Sequence, residues 1–315
     1  MTTDFERELG RGSTTIGALV YWTSLKDCKL SRVLFKQGME LCGVGDAVKT
    51  PKTETLLTEA CSRAARHQGR DVDPVKLELK SKGQESVYRV MMRRDVDGRA
   101  RTIEEAQIAV DRYAVGATPT VKTLDGVPPD AQRDRILDDV VEWFSELQMN
   151  VFAPEVSDVL VESMEILNAL SLRTGCYFVT ADQMDKVRAI AAFLAANTRA
   201  KITIWDMRAT PENVATARVD AYESFVDKLA DLTMRVKKFT DRVSVEDATA
   251  RSVNAKIREF KDLDAQVDLW ADVLGDAQAS LRESIENART AILGDYLGLA
   301  DDSLDADDKT DDVAA

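Results

Sequence analysis

His67 is the only histidine in the chain, and that removes most familiar proton-transfer and metal chemistry. No Ser-His-Asp set can be built without it, and neither an H-E-x-x-H helix nor a Cys/His zinc spacing occurs. His67 follows Ala64, Ala65 and Arg66 near the end of an expected helix, where a surface imidazole is favoured by the helix dipole. Gly10 with Gly12 and Gly43 with Gly45 are G-x-G pairs. Neither has the third glycine and strand-to-helix context of a dinucleotide fingerprint, and no phosphate-binding G-x-x-x-x-G-K-[ST] is present. Helix ends and loops explain them. Asp138 with Asp139, and Glu162 with Glu165, lack the spacing of a paired general acid and base or of a metal site. The expectation is therefore no metal and no cofactor. An enzyme with a dispersed site, using Cys176 or Tyr177, stays open as a third reading.

The one basic concentration lies at 75–101. Lys76, Lys80, Lys82, Arg89, Arg93, Arg94, Arg99 and Arg101 there outnumber Glu78, Glu85, Asp95 and Asp97. Val75, Leu77 and Leu79 alternate with Lys76, Glu78 and Lys80, and Tyr88, Val90 and Met92 alternate with Arg89, Met91 and Arg93. That period of two predicts a β-hairpin with one buried and one wet face, followed by an Asp97-Gly98 turn. Lys76, Lys80, Arg89 and Arg93 fall on the wet face. They form the candidate nucleic-acid or nucleoprotein contact, against the plainer reading of a charged sheet face that pairs in part with Glu78.

The longest regular signal follows. Phe225, Leu229, Leu232, Val236, Phe239 and Val243 recur at steps of three and four. After a polar break, so do Val253, Ile257, Phe260, Leu263, Val267, Trp270, Leu274, Ala277, Leu281, Ile285, Ala288 and Ile292. An apolar seam of that period asks for a partner helix. Ser244 with Asp247 reads as a second N-cap, so residues 212–243 and 245–296 are expected to fold back as an antiparallel helical hairpin, with a continuous stuttered helix as the alternative. Phe225, Leu229, Leu232, Val236, Phe239, Ile257, Phe260, Val267, Trp270 and Leu274 are the candidate partner-binding residues. Trp270 is bulky for a two-stranded coil and is expected to reach the globular part as well.

The elements that would position these residues are a mixture of helix and strand. Ile16 to Trp22 reads as a buried strand. Helices are expected from Leu30 towards Gly43, from Pro51 towards Gly69, and on the stripes Ile136, Leu137, Val140, Val141, Phe144, Leu147 and Val156, Val159, Leu160, Ile166, Leu167, Leu170. The 102–123 segment continues the sheet, with a helix over 106–114 as the alternative. Tyr177, Phe178 and Val179 form a strand, Thr180 and Gln183 a capping box for the next helix, and Ile202 and Ile204 the strand after it, a βαβ pattern. Pro211 opens the long helix.

Composition bounds the class. The chain is 44% hydrophobic, 31% charged and only 6% aromatic, a balance that suits helices. Cys28, Cys42, Cys61 and Cys176 form no C-x-x-C pair and sit in apolar segments, as reduced core residues of a cytoplasmic protein do. No secretory leader and no membrane span are expected. The net charge of −13 disfavours general nucleic-acid binding. Residues 301–315 carry seven aspartates against Lys309, so a disordered acidic tail is expected.

Three segments carry a family resemblance: Leu19, Val20, Tyr21 and Trp22; Gly175 to Thr180 followed by a helix with Ala191, Ala192, Phe193 and Leu194; and Leu269 to Gly275. Over roughly 15–298 the chain resembles an uncharacterised family of phage and bacterial proteins. The resemblance implies a phage or mobile-element setting, in the host cytoplasm if phage-encoded, and brings no activity or site residue. The reading is α+β: a flexible lead-in at 1–14, a globular part with a small mixed sheet, an antiparallel hairpin and flanking helices at 15–210, a coiled-coil-like helical hairpin at 212–297, and an acidic tail at 298–315. The expected function is non-enzymatic interaction or assembly, with itself or a protein partner through the helical hairpin. Nucleic-acid binding through the basic hairpin is the alternative.

Overall fold

The structure, a computed structural model, describes residues 15–23, 28–66, 76–97, 99–114, 116–173, 175–245 and 247–299. The expected lead-in, His67, Gly69, Val75, Gly98 and the acidic tail beyond 299 lie outside them. The fold is α+β with antiparallel sheets, and the chain divides into two compact units: Met1–Thr23 with Val161–Ala191 and Lys201–Ala315, and Ser24–Leu160 with Ala192–Ala200. These units are drawn differently from a division at residue 210, because the N-terminal strand joins the C-terminal helices.

In the second unit, β3 (Lys76–Lys82), β4 (Glu85–Val96), β5 (Arg99–Asp111) and β6 (Thr120–Thr123) form an antiparallel meander in sequence order. The expected alternation on β4 is present, since Tyr88, Val90 and Met92 are buried together with Ala106, Ile108 and Val110 of β5. The helices α2 (Thr53–Arg66) and α3 (Ala131–Met149) cover that face with Leu57, Ala60, Val140 and Phe144. On β3 the alternation is weaker: Leu79 is exposed, on an edge strand that lies beside β4 alone. The 106–114 segment is strand through Asp111, not helix. The register slips between Val90 and Met91, so Glu105 has no partner across the ladder. A bulge re-aims its side chain inward, and there it meets Arg94 at 2.6 and 2.9 Å and Arg133 at 3.5 Å. A short ladder between β2 (Lys29–Ser31) and β7 (Asn150–Phe152) precedes α1 (Arg32–Leu41), so the first helix starts after Leu30.

In the first unit the sheet order is β10-β1-β9-β8, with β1 (Thr15–Thr23), β8 (Leu170–Arg173), β9 (Cys176–Thr180) and β10 (Lys201–Arg208). Leu170 is therefore strand, not the end of α4 (Ala153–Ile166). Both β9 and β10 run antiparallel to β1. The expected βαβ pattern, with α5 (Met184–Asn197) as crossover, is present with β1 inserted between its strands.

The helix α6 (Pro211–Thr240) opens on Thr210, whose side chain accepts the N–H of Asn213, with Pro211 in the first turn. Ser244 and Asp247 bond to each other within the connecting turn. The next helix, α7 (Ala250–Leu269), instead starts on a capping box of Thr249 and Ser252. It stops at Trp270; after the single turn α8 (Ala271–Leu274), Gly275 turns the chain at φ +55° into α9 (Ala277–Leu293). The second helix of the expected hairpin is thus two helices folded against each other. Lys228 faces Gln266 while Arg235 faces Glu259, so α6 and α7 are antiparallel; Arg282 on Asp264 and Gln278 on Asp268 do the same for α7 and α9.

Candidate functional site

The seam comes first because its residues were expected to meet a partner. Phe225, Leu232, Val236, Ile257, Phe260, Val267, Trp270 and Leu274 are all buried, and Leu229 and Phe239 are half-buried. All but Phe239 share one core with Ile16, Leu170 and Phe178 of the sheet. Trp270 reaches the globular part as expected, with its ring 5.4 Å from Phe178 and its indole N–H donated to the Asn168 carbonyl at 3.0 Å. The partner that the period demanded is this same chain. Packed in this way, the seam leaves little apolar surface outside the chain, at the half-buried Leu229 and Phe239.

The outward side of α6 carries a second set of apolar residues. Val219, Tyr222, Val226 and Met234 are exposed by 55%, 37%, 41% and 50%, at steps of three, four and eight that keep them on one helical face. The sequence holds this stripe in plain view, but the stronger seam one third of a turn away masks it. Glu212, Asp220 and Glu223 outweigh Arg218 in the first half of the helix; Lys228, Arg235, Lys237 and Lys238 outweigh Asp227 and Asp231 in the second.

Beside this face, between α6 and α7, lies a groove of about 680 Å³. Its centre is Lys228, whose amine donates to Gln266 Oε1 at 3.0 Å and lies 5.5 Å from the Phe225 ring centroid. Burial pushes this amine below its usual range, and the Glu165 charge partly opposes the shift. Glu259 is taken by Lys256 at 2.6 Å and by Arg235 at 3.5 Å. Lys228, Arg235 and Glu259 of the groove are thus engaged within the chain.

The basic hairpin is likewise partly satisfied from within. Arg89 stands directly across the ladder from Glu78 and donates to it at 2.9 and 3.1 Å. Lys80 meets Glu104 at 2.9 Å, and that contact holds the Glu104 carboxyl below its usual range. Lys76 and Arg93 are exposed. Arg94 joins Glu105 to Asp130, the capping residue of α3.

Cys176 and Tyr177 are not brought together as a site, because successive strand residues point to opposite faces. Tyr177 is buried and stacks on Trp22 at 5.3 Å. Burial, then the Glu165 charge, push its phenol up, away from the ionised form a nucleophile needs. Cys28, Cys42 and Cys61 are buried thiols, Cys61 pushed up to about 12 by burial. Among the described residues no three His, Cys, Asp or Glu side chains come together as metal ligands, and no helix is long and apolar enough to cross a membrane.

The family model that matches this chain spans residues 15–301, which takes in every residue the structure describes. The chain belongs to the family of unknown function DUF6744. The match contains the three segments that carried the resemblance, and each sends residues into the core: Val20 from β1, Tyr177 and Phe178 from β9, and Trp270 at the helix turn. No curated protein and no solved structure matches the chain.

Proposed function

We propose that this DUF6744 chain is a non-enzymatic assembly protein whose contact is the outward face of α6 rather than the seam, and that the face pairs with a second copy of itself. The observation that carries the reading is the exposed stripe of Val219, Tyr222, Val226 and Met234 on a helix whose other side is already filled. What commits the occupant is charge: an antiparallel pair centred near Val226 brings the exposed Glu212 at one end of α6 within a turn of the exposed Lys237 and Lys238 at the other end of its counterpart. At 30 residues the helix is about 45 Å long, room for such a contact. We place the assembly in the cytoplasm on the strength of three buried, unbridged cysteines. The phage or mobile-element setting belongs to the same proposal, supported by the family resemblance. Nucleic-acid binding through Lys76, Lys80, Arg89 and Arg93 has less support, because Arg89 and Lys80 are engaged by Glu78 and Glu104.

The test is disulfide trapping with Val226→Cys in a Cys176→Ser background. Near the centre of an antiparallel pair this position meets its own counterpart, so mild oxidation gives a covalent dimer at low protein concentration. Equal cross-linking from Glu283→Cys, on exposed α9, would overturn the reading, as would none at 226.

A further inference from the structure

Between the four-stranded sheet and the first half of α6 the core of the first unit is not filled. A cavity of about 110 Å³ remains, walled by Leu19, Leu170, Phe178 and Met207 from the sheet, by Ala217 and Ala221 from α6, and by Trp270. Protein interiors are close-packed and an apolar void lowers stability. The opening is made by side-chain choice: two alanines on the buried face of α6 stand opposite the sheet, where a longer side chain would close the space. A cavity of comparable size lined by Leu, Ile and Phe accepts a benzene-sized guest.

The walls also state a charge preference. The polar side chains at the cavity are Thr216 and Asp220 alone. Asp220 is half-buried and, among the described residues, has no ion-pair or hydrogen-bond partner. Trp270 has committed its N–H to Asn168, so it has no donor left for an anion and lines the cavity with aromatic surface, with Phe178 tilted against it at 5.4 Å. A carboxylate beside aromatic faces favours a cation and repels an anion. We propose that this cavity is a binding site for a small amine bearing a branched or short linear alkyl group, the alkyl part between sheet and helix and the ammonium on Asp220. The site is separate from the outward face of α6 and stands whether or not two copies pair.

The experiment uses the full chain labelled with ¹⁵N-tryptophan, the Trp270 indole signal assigned by Trp270→Phe, and three probes of one shape: isopentylamine, isopentanol and isovalerate. The amine is expected to shift the Trp270 signal saturably, and to bind about tenfold more tightly than the alcohol, the scale of one charge-assisted contact. Isovalerate should leave the signal in place. Asp220→Asn, at the cavity mouth, should bring the amine down to the alcohol without weakening the alcohol, and Ala217→Leu should abolish both. Absence of a saturable shift with the amine in the unsubstituted protein, equal binding of amine and isovalerate, or an amine preference that survives Asp220→Asn would each overturn the proposal.

Discussion

Trp270 donates its indole N–H to the carbonyl of Asn168 at 3.0 Å, and Asn168 sits in the left-handed region at φ +53°. One side chain on the helical seam thus satisfies the backbone turn that leads into β8. Seam and sheet are one core, so the heptad pattern is covered within the chain.

Trp270→Phe keeps an aromatic ring but leaves the Asn168 carbonyl unpaired. The expected loss is about 1–3 kcal/mol; Trp270→Ala adds a cavity and should cost roughly 3–5 kcal/mol. Urea unfolding read by circular dichroism checks both. Helical signal that melts separately from the sheet in either variant would contradict the shared core.

The pairing on the hairpin predicts a charge-swap result. Arg89→Glu puts two carboxylates directly across the ladder at Glu78, and such a pair should destabilise by ~0.5–1 kcal/mol. Adding Glu78→Arg should restore most of the loss. A double-mutant cycle with no coupling would mean that the contact contributes nothing and that Arg89 is available to other anions.

The buried Glu105 joins Arg94 and Arg133. Removing it by Glu105→Ala takes one anionic partner from each guanidinium, leaving Arg94 on Asp130 and Arg133 on Asp134, and should cost about 1–3 kcal/mol. Asp130 accepts the Arg133 backbone N–H and the Arg94 guanidinium, which hold its carboxyl below the usual range. A folded value below the unfolded one means a contribution that is complete above the unfolded pKa of about 3.9 and is lost as pH falls through the folded value. Asp130→Asn should therefore flatten stability against pH in the acid range below about pH 4, measured by urea midpoints.

Lys228 has the opposite sign of burden. Its amine is held below the usual range, so the folded chain binds fewer protons and stability rises with pH from the folded pKa up to the unfolded one near 10.4. Lys228→Met removes that rise and should be neutral or stabilising at pH 7. A clear loss of stability there would show that the bond to Gln266 outweighs the desolvation.

How much of this was legible follows from what each pattern encodes. Alternation along Tyr88, Val90 and Met92 gave the buried sheet face because burial on a strand is a local property. Spacing along Phe225, Leu232, Val236 and Phe260 marked core positions correctly, yet a period says that a surface is covered and not by which chain. The turn at Gly275 was hidden because Trp270, Leu274, Ala277 and Leu281 continue the step of three and four straight through it. Its glycine is the one local trace: φ is +55° and an added Cβ would lie 2.9 Å from Arg218 Nη2, so Gly275→Ala should cost roughly 1–3 kcal/mol. The insertion of β1 between β9 and β10, and the inward turn of Glu105, depend on pairings distant in sequence. No local pattern reports them.

The central claim is self-pairing through the outward face of α6, and light scattering across a dilution series tests it most directly. The full chain should weigh twice its 34.9 kDa at high concentration and reach the single-chain mass on dilution. Val219→Glu with Val226→Glu, both on exposed positions, should give the single-chain mass throughout with unchanged circular dichroism. A full chain of 34.9 kDa at every concentration, or a dimer that survives the double substitution, would contradict it.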